Sequence, residues 1–243
     1  MLTFPNSNPK VLKSMGEKAY TGILHLAPAT LSGKNVCHTA VSQGLDCVKY
    51  CLNLAGRGGI IKKGESTNKI QECRIRRTNL FFEDRDIFFA LLIKDIKKII
   101  REAYDHDMIP AIRLNGTSDI PWERIIVAKT GKNIFAYFPD VQFYDYTKDV
   151  QRMMNYLHGN MPGNYHLTYS FNEKTEKAFV DLLVNNGVNV AVVFRKMLPE
   201  TFLNHKVINA DLSDARFNDP SGVIAGLKAK GPAKKAITAS IIG

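Results

Sequence analysis

From residue 105 onward, short apolar runs rich in β-branched and aromatic residues alternate with segments whose apolar positions recur every three or four residues. Strands joined by crossover helices in a parallel sheet give this pattern. The runs are IPAIRL (109–114), VQFYDYT (141–147), YHLTYSF (165–171), VNVAVVF (188–194) and VINADL (207–212), and GILHLA (22–27) supplies a first strand, so six strands are predicted. The longest predicted helix is Thr78–Tyr104, where Phe88, Leu92, Ile96, Ile99 and Ile100 share one face. Helices are also predicted over Pro121–Lys129, Asp149–Leu157 and Lys174–Asn185, the last ended by Gly187 as a left-handed cap.

Right-handed β-α-β units in series build either an open doubly wound sheet or a (β/α) barrel. Both place their functional groups just beyond the strand ends. Polar residues are dense there: Asn115, Ser118 and Asp119, then Asp145 to Lys148, Ser170 with Asn172 and Glu173, Arg195 and Lys196, and finally Asp211, Asp214 and Arg216. This rim favours an α/β fold built as a barrel or partial barrel of about six parallel strands. Asp119, Lys148 and Glu173 are the candidate catalytic groups, and Arg113, Asn115, Asp145, Asn172, Arg195 and Asp211 the candidate substrate-binding groups. Each of the short polar ones equally suits a helix cap, as Asn172 before Glu173 does.

Residues 28–77 interrupt the alternation. They read as a glycine-rich loop insertion after the first strand of a single domain spanning 1–243, and 219–243 reads as a basic C-terminal segment, an irregular wrap or arm. All four cysteines, Cys37, Cys47, Cys51 and Cys73, fall in this loop, spaced C-x9-C-x3-C-x21-C. Thiolates in such a group are candidate ligands for an iron–sulfur cluster of the [4Fe–4S] type, with zinc as the alternative. The tight C-x2-C pairs usual in structural zinc sites are absent. A cysteine loop after the first barrel strand resembles that of radical S-adenosylmethionine enzymes, although their usual spacing is C-x3-C-x2-C. If Cys37, Cys47 and Cys51 alone ligate, one iron stays open to substrate or S-adenosylmethionine; if Cys73 joins, the site is closed and serves structure or electron transfer. Plain reduced thiols and disulfides are the remaining options.

With 45% apolar and 23% charged residues, the composition is that of a globular protein. No run is long enough for a membrane span, and the start lacks the basic-then-apolar order of a signal peptide, so an intracellular location without a membrane partner is expected. The net charge of +10 favours a polyanion. Lys62, Lys63, Arg74, Arg76 and Arg77 are the candidate nucleic-acid contacts, and Lys228, Lys230, Lys234 and Lys235 form a second basic group. The loop NLAGRGG (53–59) lacks the Walker and dinucleotide patterns, and no G-x-S-x-G or H-E-x-x-H occurs.

Taken together, CHTAVSQGLDCVKYCLNLAGRG, ECRIRRTNLF, AIRLNGTSDIPWE, VQFYDYTKD and DARFNDPSGVIAGLKAKG resemble the bacteriophage gene product 88 family. Arg113 and the strand end Tyr146-Thr147-Lys148 fit its pattern, while the loop Asn115–Asp119 is longer than in similar members. The resemblance implies a phage or prophage origin, hence the host cytoplasm, and a barrel with a cysteine cluster; it implies no particular reaction. Two expectations follow. One is an iron–sulfur barrel protein, a radical-type enzyme acting on a nucleic acid or nucleotide. The other is a basic DNA- or RNA-binding protein whose cysteine loop is structural, with zinc or no metal. A host protein partner is compatible with either.

Overall fold

The structure is a computed structural model that describes residues 1–5, 15–127, 130–236 and 238–243. Ten strands are present among these: β1 (Leu2–Thr3), β2 (Ala19–Leu24), β3 (Ile109–Arg113), β4 (Gln142–Thr147), β5 (Tyr165–Ser170), β6 (Val190–Phe194), β7 (Thr201–Phe202), β8 (His205–Asn209), β9 (Ile224–Lys228) and β10 (Ile241–Ile242). They form one sheet in the order β1-β2-β3-β4-β5-β6-β9-β8-β7, with β10 added beside β6. From β2 to β6 neighbours in space are neighbours in sequence, and every pair is parallel. Such winding sends successive right-handed crossovers to the same face.

The buried side chains agree. Tyr20, Leu24, Ile112, Leu114, Phe143, Leu167, Val190 and Val192 point to one face and share a core with the helices α1 (Lys69–Glu83), α2 (Arg85–Asp105), α3 (Val150–Leu157) and α4 (Lys177–Asn185). The alternate residues on the other face are mostly small or polar, with Ile23 and Val193 as exceptions. Ala19, Ala111 and Tyr144 pack under Ala215 and Phe217, and Ala191 and Ala225 pack with Ala210, Tyr146 and Leu227. Helices thus cover one face, and the 210–217 segment helps cover the other.

All six expected strands appear as parallel members of the sheet, the first and the sixth displaced two to three residues toward the N-terminus. The expectation of a closed barrel is not met, because the hydrogen-bonded path runs from β1 to β7 without returning on itself. The segment after Asp219 is no mere wrap: β9 pairs with β6 on one side and β8 on the other, in the interior of the sheet. The single helix expected over Thr78–Tyr104 is two. Asp84 leaves the helical region (φ −146°, ψ 84°) and its carboxylate accepts from the Ile87 N–H at 3.0 Å, so a residue suited to capping ends one helix and starts the next. Over Pro121–Lys129 the described part holds only one 3-10 turn, Trp122–Arg124, and residues 128–129 lie outside the described residues. That turn is pinned to the strand-end loop by the Trp122 indole N–H, which donates to Asn115 Oδ1 at 3.0 Å. Helices α3 and α4 fall where expected, the first capped by Asp149. No helix among the described residues is long and apolar enough to cross a membrane.

Asn68 fastens the glycine loop to the helical layer. Its Oδ1 accepts from the N–H groups of Ile70 and Gln71 at the start of α1, and its Nδ2 donates to the carbonyls of Arg57, Gly58 and Ile60 at 3.2, 3.1 and 2.9 Å. Gly59 is required by the same fold, since a Cβ there would lie 2.1 Å from the Leu54 carbonyl. Asn68→Ala is expected to cost about 1 to 2 kcal/mol in chemical denaturation, with faster amide exchange confined to residues 57–60; an unchanged midpoint would show that the loop does not depend on this cap.

Candidate functional site

The long connection leaving β2 is clamped across the C-terminal rim of the sheet. Thr117 Oγ1 donates to the Leu26 carbonyl at 2.6 Å, and the Asp119 N–H donates to Val36 O at 2.9 Å. Farther along, Thr39 Oγ1 donates to Asp149 at 3.3 Å, the Lys174 ammonium to Gln43 O at 2.6 Å, and the Asp46 N–H to Glu173 Oε1 at 2.6 Å. At Gly116 the rim lies so close to β2 that a Cβ would stand 2.6 Å from His25 Nδ1 and 2.7 Å from Leu24 O. The C-terminal segment closes the other side: Thr238 donates to Asp46, and a Cβ on Gly231 would come within 3.1 Å of Leu54 O and Ala55 Cα.

Between loop, rim and C-terminal segment is a cavity of about 260 Å³. Cys37, Cys47 and Cys51 line it with Arg113, Ser118, Asp119, Tyr146, Thr147, Lys148 and Ser170, while Leu227, Lys228, Lys230 and Ile241 form part of the opposite wall. Burial pushes all three thiols above the usual range. Asp119 adds to the rise at Cys37, and the nearby thiols also raise one another. Lys148 opposes the rise at Cys47, and the Asn53 N–H and Arg74 oppose it at Cys51. Cys73 stands apart. It sits on α1 outside this lining, with the Arg76 guanidinium donating to its sulfur at 2.9 Å. Among the described residues no three His, Cys, Asp or Glu side chains stand close enough to grip a single metal ion.

The three candidate catalytic residues lie around the thiols. The Asp119 carboxylate accepts from Arg152 Nη1 at 2.7 Å, the Lys148 N–H at 2.9 Å and Thr147 Oγ1 at 3.1 Å; burial raises its pKa and Arg152 works against that rise. Lys148 Nζ donates to Ser170 Oγ at 2.8 Å and to the carbonyl oxygens of Ser170 and Phe171 at 3.4 and 3.2 Å. Burial lowers its pKa, while Cys47, Asp119 and Glu173 favour its charged form. Glu173 holds the cysteine loop through Oε1, and its buried Oε2 has no hydrogen-bond partner among the described residues.

The candidate substrate-binding residues divide. Arg113 reaches the cavity. Asn115 lines it too, but its side chain is consumed internally, accepting from Ser118, Ile120 and Trp122 and donating to Ile120 O. Asp145 is fully buried and accepts from the Asn115 N–H at 2.7 Å and the Tyr165 hydroxyl at 3.0 Å; burial brings its pKa up to about 7. Asn172 shapes the turn before α4 by accepting from the Lys174 N–H. Asp211 pairs with Lys230 at 2.6 Å and caps the Lys228 N–H, and the Arg195 backbone N–H donates to Ile242 O. Asp145, Asn172, Arg195 and Asp211 are not part of the cavity lining.

Of the candidate nucleic-acid contacts, Lys62, Lys63 and Arg76 are exposed. Arg74 turns inward onto Asn53 Oδ1 at 2.7 Å, and Arg77 is half-buried. Arg152 was not singled out by the sequence, because its position on a short amphipathic helix looks like any solvated cation. It is 1% exposed and donates to Asp119, Glu123, Thr147 and Tyr165. The cavity wall formed by the C-terminal segment likewise had no signal beyond its lysines.

The chain belongs to the family described as gene product 88, whose family model matches residues 2–242. No curated protein and no solved structure matches it.

The thiol environments predict an order of reaction. In metal-free protein at neutral pH, a maleimide should modify Cys73 before Cys37, Cys47 and Cys51, whose burial suppresses the thiolate. Mass spectrometry of timed samples reads this order, and simultaneous modification of all four would contradict the partition.

Proposed function

We propose that this member of the gene product 88 family binds an iron–sulfur cluster of the [4Fe–4S] type through Cys37, Cys47 and Cys51, and that the adjoining cavity is the site of radical-type chemistry on a nucleotide or nucleic acid. The observation that carries this reading is the three-plus-one partition of the thiols: three line one cavity and Cys73 does not. The donor set suits the group. Thiolates are the ligands of iron–sulfur clusters. Three thiols whose ionisation is opposed by burial become favourable ligands once coordination to a cation deprotonates them. A single zinc ion needs its sulfurs about 2.3 Å from one point, whereas a cluster spreads its ligands over separate irons.

Held by three cysteines, such a cluster supplies electrons and one iron open to a ligand such as S-adenosylmethionine. The chain's own residues would then do the rest. Lys148 places a cation beside Cys47, Asp119 fixes the backbone of Lys148 while its own N–H anchors the residue before Cys37, and Arg113 faces the cavity from β3. The loop and the C-terminal segment form two of the cavity's walls. The open sheet wound in chain order, with the cysteine loop leaving its first parallel strand, suits a partial-barrel architecture of the radical-enzyme kind by analogy only.

A second reading has its own observation. The turn Gly231–Lys235 packs against Leu54 and Ala55 of the cysteine loop, and Lys228 and Lys230 line the cavity. Exposed Lys228 and Lys230 beside the cavity, with exposed Lys62, Lys63, Lys234 and Lys235, would contact phosphates, either for a nucleic-acid substrate or in a purely binding role with a structural cysteine loop. A host protein docking on these exposed lysines would fall under the same charge argument.

Alanine variants measured after anaerobic purification separate the readings. Cys37→Ala, Cys47→Ala and Cys51→Ala are each expected to lose most iron and sulfide, and Cys73→Ala to keep wild-type content. Equal loss in Cys73→Ala would show a closed four-cysteine site, and unchanged metal in Cys47→Ala would sink the cluster assignment.

A further inference from the structure

Exposed apolar side chains that gather in one place with charge around them mark a surface that meets a partner. The outer part of the cysteine loop has this composition. Leu52, next in sequence to Cys51, lines the thiol cavity and is 51% exposed. Leu54 and Ile70 are exposed as well, and Ile60 is 68% exposed. The backbone of Gly59 lies against the Leu54 carbonyl, and Asn68 bonds both the Ile60 carbonyl at 2.9 Å and the Ile70 N–H at 3.0 Å. Leu54, Ile60 and Ile70 therefore come from backbone segments fastened to one another.

The charge around these residues is one-sided. Between Lys49 and Ile70 the chain carries five cations and one carboxylate, Glu65. Lys49 pairs with Asp46 at 3.8 Å, whereas Arg57, Lys62, Lys63 and Lys69 are exposed and form no ion pair among the described residues. Exposed Lys234 and Lys235 add to them from the turn whose Gly231 packs on Leu54. Phosphates alone would use the cations and gain nothing from the leucines and isoleucines, and none of the exposed residues from 49 to 70 is aromatic, so bases have no ring to stack on. A membrane surface is met by a continuous amphipathic helix, whereas Leu52 and Leu54 stand on a 3-10 turn and Ile60 follows another. An acidic protein with a small apolar face satisfies both halves of the patch.

We propose that this face docks an acidic one-electron carrier protein, which exchanges electrons with the cluster through the Cys51 side of the loop. This rests on the reading of the thiols as cluster ligands. The Asn53 N–H, between Leu52 and Leu54, donates to the Cys51 sulfur at 3.4 Å, so one hydrogen bond joins the docking face to a ligand. A single electron moves: a reduced ferredoxin goes from [2Fe–2S]+ to [2Fe–2S]2+ as [4Fe–4S]2+ becomes [4Fe–4S]+, and no bond or proton is transferred. Interfaces of such carriers are small and transient, and unpaired charge serves them by steering encounter.

The probe is an acidic plant-type ferredoxin, mixed without oxygen with the full chain in stopped flow, one protein reduced and the other oxidised in whichever direction is downhill. Biolayer interferometry reads binding of the same pair. Exchange should slow as salt rises, and the double variant Lys62→Glu, Lys63→Glu should slow it by roughly 10-fold or more at low salt. That variant should keep wild-type iron and wild-type reduction by photoexcited deazaflavin, a small molecule that needs no docking face. Ile60→Ser should weaken ferredoxin binding while leaving its salt dependence. Unchanged exchange in the charge reversal, or a loss shared with deazaflavin, would overturn the proposal. So would tighter, reversal-sensitive binding to phosphatidylserine vesicles or to duplex DNA than to ferredoxin. Normal iron without ferredoxin binding removes this proposal alone, and reversal-sensitive ferredoxin binding by a chain without iron keeps the docking face and removes the cluster reading.

Discussion

One buried cation organises the rim on which the site is built. The Arg152 guanidinium lies almost wholly out of water, where an unpaired charge is prohibitive. It is held by Asp119 at 2.7 Å and by both oxygens of Glu123 at 2.9 Å, with Thr147 and Tyr165 accepting its remaining donors. The bridge joins α3 to the loop after β3 and leaves Asp119 in one orientation. That orientation in turn fixes the Lys148 backbone and, through the Asp119 N–H on Val36, the chain immediately before Cys37. Breaking such a pair by removing one partner typically costs about 3 to 5 kcal/mol, so the rim and the start of the cysteine loop stand or fall with it.

The same economy explains why so many polar strand ends are not free to meet a substrate. Asp149, Glu173 and Lys174 spend their side-chain bonds on residues 39, 46 and 43 of the loop, and Asn115 spends its own on the turn around Trp122. Without these anchors a loop with so few apolar contacts would have little to offset its conformational entropy. Facing the cavity are the three thiols, Arg113 and Lys148, whose ammonium is bonded to the neutral oxygens of Ser170 and Phe171. These groups surround a single cavity, which is the physical reason for placing chemistry there.

Much of the fold was legible in the chain. The β-branched runs at 109, 141, 165 and 188 are strands because each can bury both faces in a parallel sheet, and their order follows from short crossovers. β9 was not legible: Ile-Ala-Gly-Leu-Lys has weak strand propensity, and what makes it a strand is its place between β6 and β8, a tertiary pairing that local sequence does not show. The break at Asp84 was hidden for the opposite reason, since apolar periodicity runs through it and only the side chain's capping bond reveals the change. The thiol group itself was plain from spacing. Its partition was not, because helix α1 carries Cys73 beside Arg76, and no spacing rule separates a ligand from a bystander.

The central claim is that three cavity thiols hold a cluster with one open iron. Iron, acid-labile sulfide and zinc per chain, determined on wild-type protein purified and kept without oxygen, test it most directly. About four irons and four sulfides per chain, with no zinc, is the predicted result; stoichiometric zinc, or a folded chain with no metal, would contradict it.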